Sequence, residues 1–542
     1  MGAALATSLD ETTKQLPGVL SPVDLAARGG RRSTAETGSV VIGISGARRN
    51  AAAAVSVGGQ LLGFCEQERL TRIRGSGLRP GELPREALGA VLRLAEQAPD
   101  QVTAYVTAEE AVSLPDELPR VRLDHHYAHA ATAFLTSPFD SAAVLVCDQN
   151  SSPAVSVWLG SGDKVANQQW PWSGPGLASL FTQGSQLFGF APGREHQLEA
   201  LARLNGADET GKVAHLFRHA DQALHVDPCW KRTLSDWLQQ DGAAWVLPHG
   251  ARVAGAFQAV LGEALLALVS DIRRSLGATR LCLAGGLFYN TFFNTLIAES
   301  GGFEEVFIPP NPGNAGTAAG AALAVDRQKT NSPARERVSA FLGPEYEPDE
   351  IKAALDNCKL SYEYLLEGDV IATCVQALAA GHLVGWFQGR MEWGHRALGN
   401  RSILASPLLP YVLDNLNVFL KQRERHRAYG LSVCEEDADR YFEGPRRSSW
   451  MEYEYRMKDP ERFRHVLPPG ASTLRVQTID RTVPLFQDLH KAFAAVTGTG
   501  ALVNTSFNGF CEPIVCSPRD AIRVFYGSGL DVLALGRFVI RK

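Results

Sequence analysis

Leu123-Asp124-His125-His126-Tyr127-Ala128-His129-Ala130 is the stretch on which the reading of this chain turns. His125 and His129 stand one helical turn apart, so a helix here projects both imidazoles from one face. Two such imidazoles begin a metal site if a further ligand arrives from elsewhere. Asp148 is the candidate, because it follows the apolar run Ala142–Cys147 and a carboxylate at the end of a buried strand needs a partner. Two imidazoles and one carboxylate suit a divalent first-row metal such as iron, manganese or zinc. A pair of buried, hydrogen-bonded histidines is the alternative reading of the same spacing. Asp124 is read as solvated in preference to orienting a ligand.

Working outward, Val40–Ile44 and Ala51–Val57 read as buried strands. Gly58-Gly59 turns the second of these into Gln60–Phe64. Further strands are expected at Ala142–Cys147 and Arg280–Ala284. Val253, Phe257, Val260, Leu261, Leu265, Leu268 and Ile272 repeat at steps of three and four, which predicts a helix closed by Gly277. A small-residue helix is expected from about Ala315, its alanines and Gly320 permitting close packing or close approach of a ligand. Glycine turns follow several apolar runs: Gly43 to Gly46, Asp148 to Ser152, Gly285-Gly286 with Asn290, and Gly313-Asn314. Exposed N–H groups at such turns favour phosphate. Each turn alone is weak evidence, and together they suggest a nucleotide cleft. No internal repeat is visible.

The chain has 542 residues, enough for two to four domains, and its 45% hydrophobic share supports sizeable cores. A net charge of −5 without a basic block argues against a protein held mainly to nucleic acid. Nine cysteines without a CxxC pair or framework read as reduced thiols. No apolar stretch reads as long enough to span a bilayer, and the first residues do not resemble a signal peptide, so a cytoplasmic location is expected. Residues 1–37 read as a flexible tail, 38–330 as a first domain, 331–345 as a polar linker and 346–542 as a second domain.

In the second half, Arg390, Arg396 and Arg401 with Ser402 lie among glycine and alanine positions. Lys421, Arg423, Arg425 and Arg427 follow on an expected helix start. Small residues admit a ligand to the backbone and guanidinium groups clamp oxyanions. A solvated basic surface is the bland alternative, but Trp386, Phe387, Trp393 and Leu398 nearby favour a lined pocket. Asn504, Ser506 and Asn508, after Ala501-Leu502-Val503, could hydrogen-bond a substrate or simply end a strand.

Taken in order, these islands resemble the O-carbamoyltransferase family that includes nodulation protein U and the antibiotic-tailoring carbamoyltransferases. The marks include Glu66 to Arg72, His125 to Phe134, Ala284-Gly285-Gly286 with Asn290, Gly316-Thr317-Ala318, and Gly394 with Arg396 to Ser402. Arg423-Glu424, Arg475 to Thr478, and Asn504 to Asn508 complete them. The resemblance implies an α/β architecture of two parts: a Kae1-like domain of the actin/hexokinase ATPase type and an α+β YrdC-like domain. It implies that the second domain joins carbamoyl phosphate and ATP into carbamoyl-adenylate. The first, with a divalent metal (iron, manganese or magnesium), would pass the carbamoyl group to a hydroxyl or amine of a small polar acceptor.

On this reading His125, Asp148, Arg396 and Arg427 are catalytic and His125, His129 and Asp148 hold metal. Arg390, Arg396, Arg401, Ser402, Lys421, Arg423, Arg427, Asn504, Ser506, Asn508, Gly285, Gly286, Asn290 and Asn314 bind the cofactor. A homodimer stays open; neither nucleic acid nor membrane is implied as a partner. The chain departs from the family pattern at Arg49-Asn50, Gln149 to Ser152, Asn314, Pro469 to Ser472, His395 and His426. Those in the first domain remove negative charge, and Asn314 is a poorer metal donor than aspartate. Two alternatives follow: an altered member performing a different transfer, and a nucleotide-binding partner without catalysis.

Overall fold

The computed structural model describes residues 38–542, apart from 113, 115–118, 150, 205–208, 221–222, 240–246, 330–335 and 446. The expected tail, 1–37, lies outside the described residues, as does the start of the expected linker.

The first half contains two five-stranded sheets with one topology. In the first, β1 (Val40–Ser45), β2 (Ala52–Val57), β3 (Gln60–Glu66), β4 (Ala104–Thr107) and β5 (Arg120–Arg122) lie in the order β3-β2-β1-β4-β5. In the second, β6 (Ser141–Cys147), β7 (Val155–Ser161), β8 (Lys164–Asn167), β9 (Arg280–Ala284) and β10 (Glu305–Phe307) lie in the order β8-β7-β6-β9-β10. Each is a three-strand antiparallel meander extended by two parallel strands. The repeat that the sequence hides is therefore present in the topology. This duplicated arrangement is the actin/hexokinase-like ATPase fold. β1 and β6 read as unbroken apolar runs because both faces of each are covered. Gly58 and Gly59, at φ 59° and 82°, make the tight turn between β2 and β3.

Between the sheets lie α1 (His125–Leu135) and, later in the chain, the small-residue helix Thr317–Asp326. A Cβ on Gly43 would stand 1.9 Å from the Ala318 carbonyl oxygen, and one on Gly320 would stand 2.3 Å from both Ala128 O and Thr132 Oγ1. The glycines thus serve helix–sheet and helix–helix contact rather than a ligand. α2 (Glu195–Ala202) and α3 (Leu247–Leu276) cover the second sheet. α3 is longer than its periodic core. By length and composition it could cross a membrane, contrary to the expectation that no stretch would; 67% of its most apolar window is buried inside the protein. The helix Thr317–Asp326, introduced above, is α4.

The second half is built on a ten-stranded mixed sheet. Its central strands are Val384–Phe387, Arg401–Ala405, Gly430–Cys434, Thr473–Ile479, Leu502–Ser506 and Val532–Leu535. The expected linker is no free tether: Phe64 N donates to Leu342 O at 3.0 Å, Trp393 N to Ala340 O at 3.0 Å and Gly343 N to Met391 O at 2.8 Å. Its described part is pinned to both halves. All nine cysteines are free.

Candidate active site between the two halves

α1 begins at Asp124, whose carboxylate accepts the Tyr127 N–H at 2.8 Å, so this residue is an N-cap rather than merely solvated. The cap starts the helix so that His125 and His129 share a face toward the end of β6. There Asp148 is 3% exposed, with Oδ2 3.1 Å from His125 Nε2 and Oδ1 3.9 Å from His129 Nε2. The three candidate ligand atoms lie within 4.8 Å of one another. Asn314 Oδ1 stands 3.1 Å from His129 Nε2. Gly285, at φ 101°, lets its loop pass the Cys147 carbonyl, where a Cβ would meet oxygen at 2.1 Å, and Gly286 N donates to Asp148 Oδ1 at 3.3 Å. His126 is engaged by the Ser156 and Ser151 hydroxyls, both at 2.7 Å.

The electrostatics suit a cation. Burial works against the Asp148 carboxylate, but the His125 hydrogen bond and the His129 and His125 charges pull its pKa down to about 2. Burial lowers His129 to about 4, keeping the imidazole neutral. For His125 burial is opposed and outweighed by the hydrogen bond and charge of Asp148, so its pKa rises. A buried ionised carboxylate and two imidazoles converging on one point fit a divalent metal, Asn314 adding a neutral oxygen.

A second cluster lies where the halves meet. Lys421 is buried, and its ammonium donates only to neutral oxygens: Ser506 O at 2.6 Å, Asn508 O at 2.9 Å and Asn508 Oδ1 at 2.6 Å. Burial, with the Arg423 and Arg74 charges, pushes its pKa well down. Arg423 stacks on Tyr429 and bonds Asn417. Ser506 Oγ donates to Asn508 Oδ1, locking the cradle. Arg427, with Glu424 at 3.7 Å, is held down to about 10, first by burial and then by Arg423. From the first half come Arg74 and Arg194, neither with a carboxylate partner among the described residues, and His196 on α2. Burial and the charges of Arg427, Arg194, Arg74 and Arg475 depress His196 to about 2. Arg475 reaches Glu199 at 3.8 Å, and Arg396 donates to Tyr289 O at 3.1 Å. Arg203 is different: it is neutralised between Glu199 and Glu454.

Several residues expected here are placed elsewhere. Arg401 is fully buried and spends its guanidinium on the carbonyls of Gln388, Gly389, Asn400 and Pro344, stacked 3.6 Å from the Phe387 ring centre. Arg390 stitches Leu62, Leu342 and Gly343 carbonyls. Ser402 is buried and accepts the Gly399 N–H. Asn504 lies inside a strand and bonds Gln477. Asn290 caps the helix Thr291–Glu299 and bonds Gln258. Arg425 is an exposed partner of Asp414. Lys421 to Arg427 form a loop after the π-turn Asn415–Leu420, not a helix start. At the first turn the N–H groups of Gly46 and Ala47 are already taken by Glu109. A surface pocket lined by Tyr346, Phe387, Gln388, Arg537 and Phe538 contains none of the candidate residues.

Sequence reasoning missed Arg74, Arg194 and His196, which belong to no motif and gather only through the fold. Two family models match this architecture: Carbamoyltransferase N-terminus over residues 101–323 and Carbamoyltransferase C-terminus over 375–542. The chain belongs to the carbamoyltransferase family. Nodulation protein NolO of Bradyrhizobium diazoefficiens is 31% identical over 435 residues, covering 78% of this chain and 79% of that protein. A 3'-hydroxymethylcephem-O-carbamoyltransferase of Streptomyces clavuligerus is 30% identical over 433 residues, covering 74% and 76%. A crystal structure of full-length HypF in its phosphate- and nucleotide-bound form aligns at a TM-score of 0.39 and 12% identity, covering 56% of this chain and 57% of that one. The protein is accordingly a carbamoyl-transferring enzyme.

Proposed function

We propose that this carbamoyltransferase is ATP-dependent: it activates carbamoyl phosphate as carbamoyl-adenylate and transfers the carbamoyl group to a hydroxyl, or an amine, of a small polar acceptor. The observation that carries the reading is the cationic band from Lys421 and Arg423 through Arg74 and Arg194, beside the neutral His196, to Arg427, Arg475 and Arg396. Its charge exceeds its carboxylates, and among the described residues the Lys421 ammonium hydrogen-bonds only neutral oxygens, Glu512 acting on it without contact. A buried ammonium without a counter-charge is costly unless a ligand supplies one. Two phosphorylated reactants supply several. Arg427 and Arg396 stabilise negative charge on the departing phosphate groups.

His125, His129 and Asp148, with Asn314 beside them, would hold a divalent metal, which when bound would polarise a carbonyl or anchor phosphate. Gly286 orients Asp148 for that role. The test is exchange of labelled pyrophosphate into ATP. It should require carbamoyl phosphate and be lost in Lys421→Met; no exchange under any metal condition would refute the proposal.

A further inference from the structure

We propose that His395 is a general base of the transfer step, taking the proton from the acceptor. This rests on the adenylate reading above. His395 lies in a segment clamped by the first half of the chain. Trp393 N donates to Ala340 O, and Asn311 Nδ2 donates to Trp393 O at 3.3 Å. The Gly394 carbonyl accepts Arg69 Nη2 at 3.0 Å, and a Cβ on Gly394 would meet Pro310 O at 2.5 Å. Arg396 is tied to Tyr289 O. The backbone on both sides of His395 is thus held, and its ring stands edge-on to Tyr289 with centroids 4.4 Å apart.

Despite this anchoring, the two ring nitrogens have no hydrogen-bond partner among the described residues, and the side chain is exposed. The imidazole is therefore open to solvent. Tyr289, on which the ring packs, touches both sides: Arg396 donates to its carbonyl at 3.1 Å, and a Cβ on Gly313, next to Asn314, would stand 2.5 Å from its ring. On this proposal a carbamoyl group moving between the His125–His129–Asp148 cluster and the cationic band passes this imidazole.

Partial desolvation by the surrounding protein, and then the charges of Arg396, Arg475, Arg69 and His196, push its pKa down and favour the neutral ring. Arg69 is itself paired with Glu66 and Arg475 with Glu199. An anion bound among the arginines offsets their charge and makes the imidazole a stronger base when the activated group is present. In the step, the acceptor O–H bond breaks and its proton goes to the imidazole. The oxygen lone pair forms the bond to the carbamoyl carbon. The bond from that carbon to the adenylate oxygen breaks, its electron pair leaving on AMP.

Water serves as the probe acceptor, giving carbamic acid and AMP. Full-length His395→Gln and His395→Ala are compared with the unaltered protein in two assays: carbamoyl-phosphate-dependent pyrophosphate exchange, and single-turnover AMP release. Exchange is expected to stay within about twofold while AMP release falls about 10²- to 10⁴-fold. Added imidazole is expected to restore AMP release in His395→Ala, which a purely structural role would not allow. Unchanged AMP release in both variants overturns the inference, as does a parallel loss of exchange and release. Absence of exchange in the unaltered protein sinks the adenylate reading itself, and the inference with it.

Discussion

Arg401→Met separates a structural guanidinium from a ligand-binding one. Arg401 donates to four carbonyls. Asn400 O and Pro344 O keep backbone N–H partners from Gln388 and Met391, whereas Gln388 O and Gly389 O lose the partner they have here. The buried Gln388 carbonyl, once orphaned, costs about 1–3 kcal/mol, while that of exposed Gly389 can turn to water. The substitution also leaves Glu392, which accepts N–H groups from Leu398, Asn400 and Arg401, without its nearby cation. Methionine recovers packing over Phe387 and removes the cost of burying the charge. Breaking such a buried ionic arrangement from one side costs about 3–5 kcal/mol, and that is the expected loss. Urea unfolding followed by far-ultraviolet circular dichroism reads it as a lower midpoint at unchanged slope. Calorimetric ATP affinity of the folded protein should change less than threefold. A variant of unaltered stability that loses ATP affinity tenfold would refute the structural assignment.

Lys421→Met should lower ATP affinity at least tenfold by calorimetry while leaving unliganded stability equal or higher, because it removes an unpaired buried charge. Asn314→Asp should tighten divalent-metal binding about tenfold in titration calorimetry, since a carboxylate adds charge where the amide adds none. Glu199 is held at about 2, against burial, by Arg203 and then Arg475. Its unfolded value is higher, so its stabilisation is complete above about pH 4.5 and lost as pH falls toward 2. Acid unfolding of Glu199→Gln should therefore start from lower stability and show a shallower dependence across that window. Gly320→Val should be destabilised by about 1–3 kcal/mol in urea and weaken metal binding, because its side chain would push α1 away from α4.

Much of the fold was legible. β9 matches its apolar run, and β1 and β6 extend theirs by one residue. Such runs are read well because burial on both faces leaves few polar alternatives. The grouping of His125, His129 and Asp148 was legible for a related reason: a helical i, i+4 spacing and a carboxylate after a buried strand are both local features. Arg401, Arg390 and Asn504 were misplaced because a basic or amide side chain beside small residues looks the same whether it faces a ligand or a carbonyl. The loop at Lys421 to Arg427 was read as helical from composition, while its polar groups are used by Asn417, Asn508 and Ser506.

By itself the sequence determined the family, the strand-rich α/β plan and the His125–His129–Asp148 donor set, since these rest on short-range pattern and ordered motifs. Tertiary structure alone decided the duplicated sheet topology and the gathering of Arg74, Arg194, His196, Arg427 and Arg475 into one cleft. It also decided that His395 packs edge-on against Tyr289 with no hydrogen-bond partner among the described residues. Residues hundreds of positions apart share no local signal; only the packing of the two halves tells which of their charges are left without a partner.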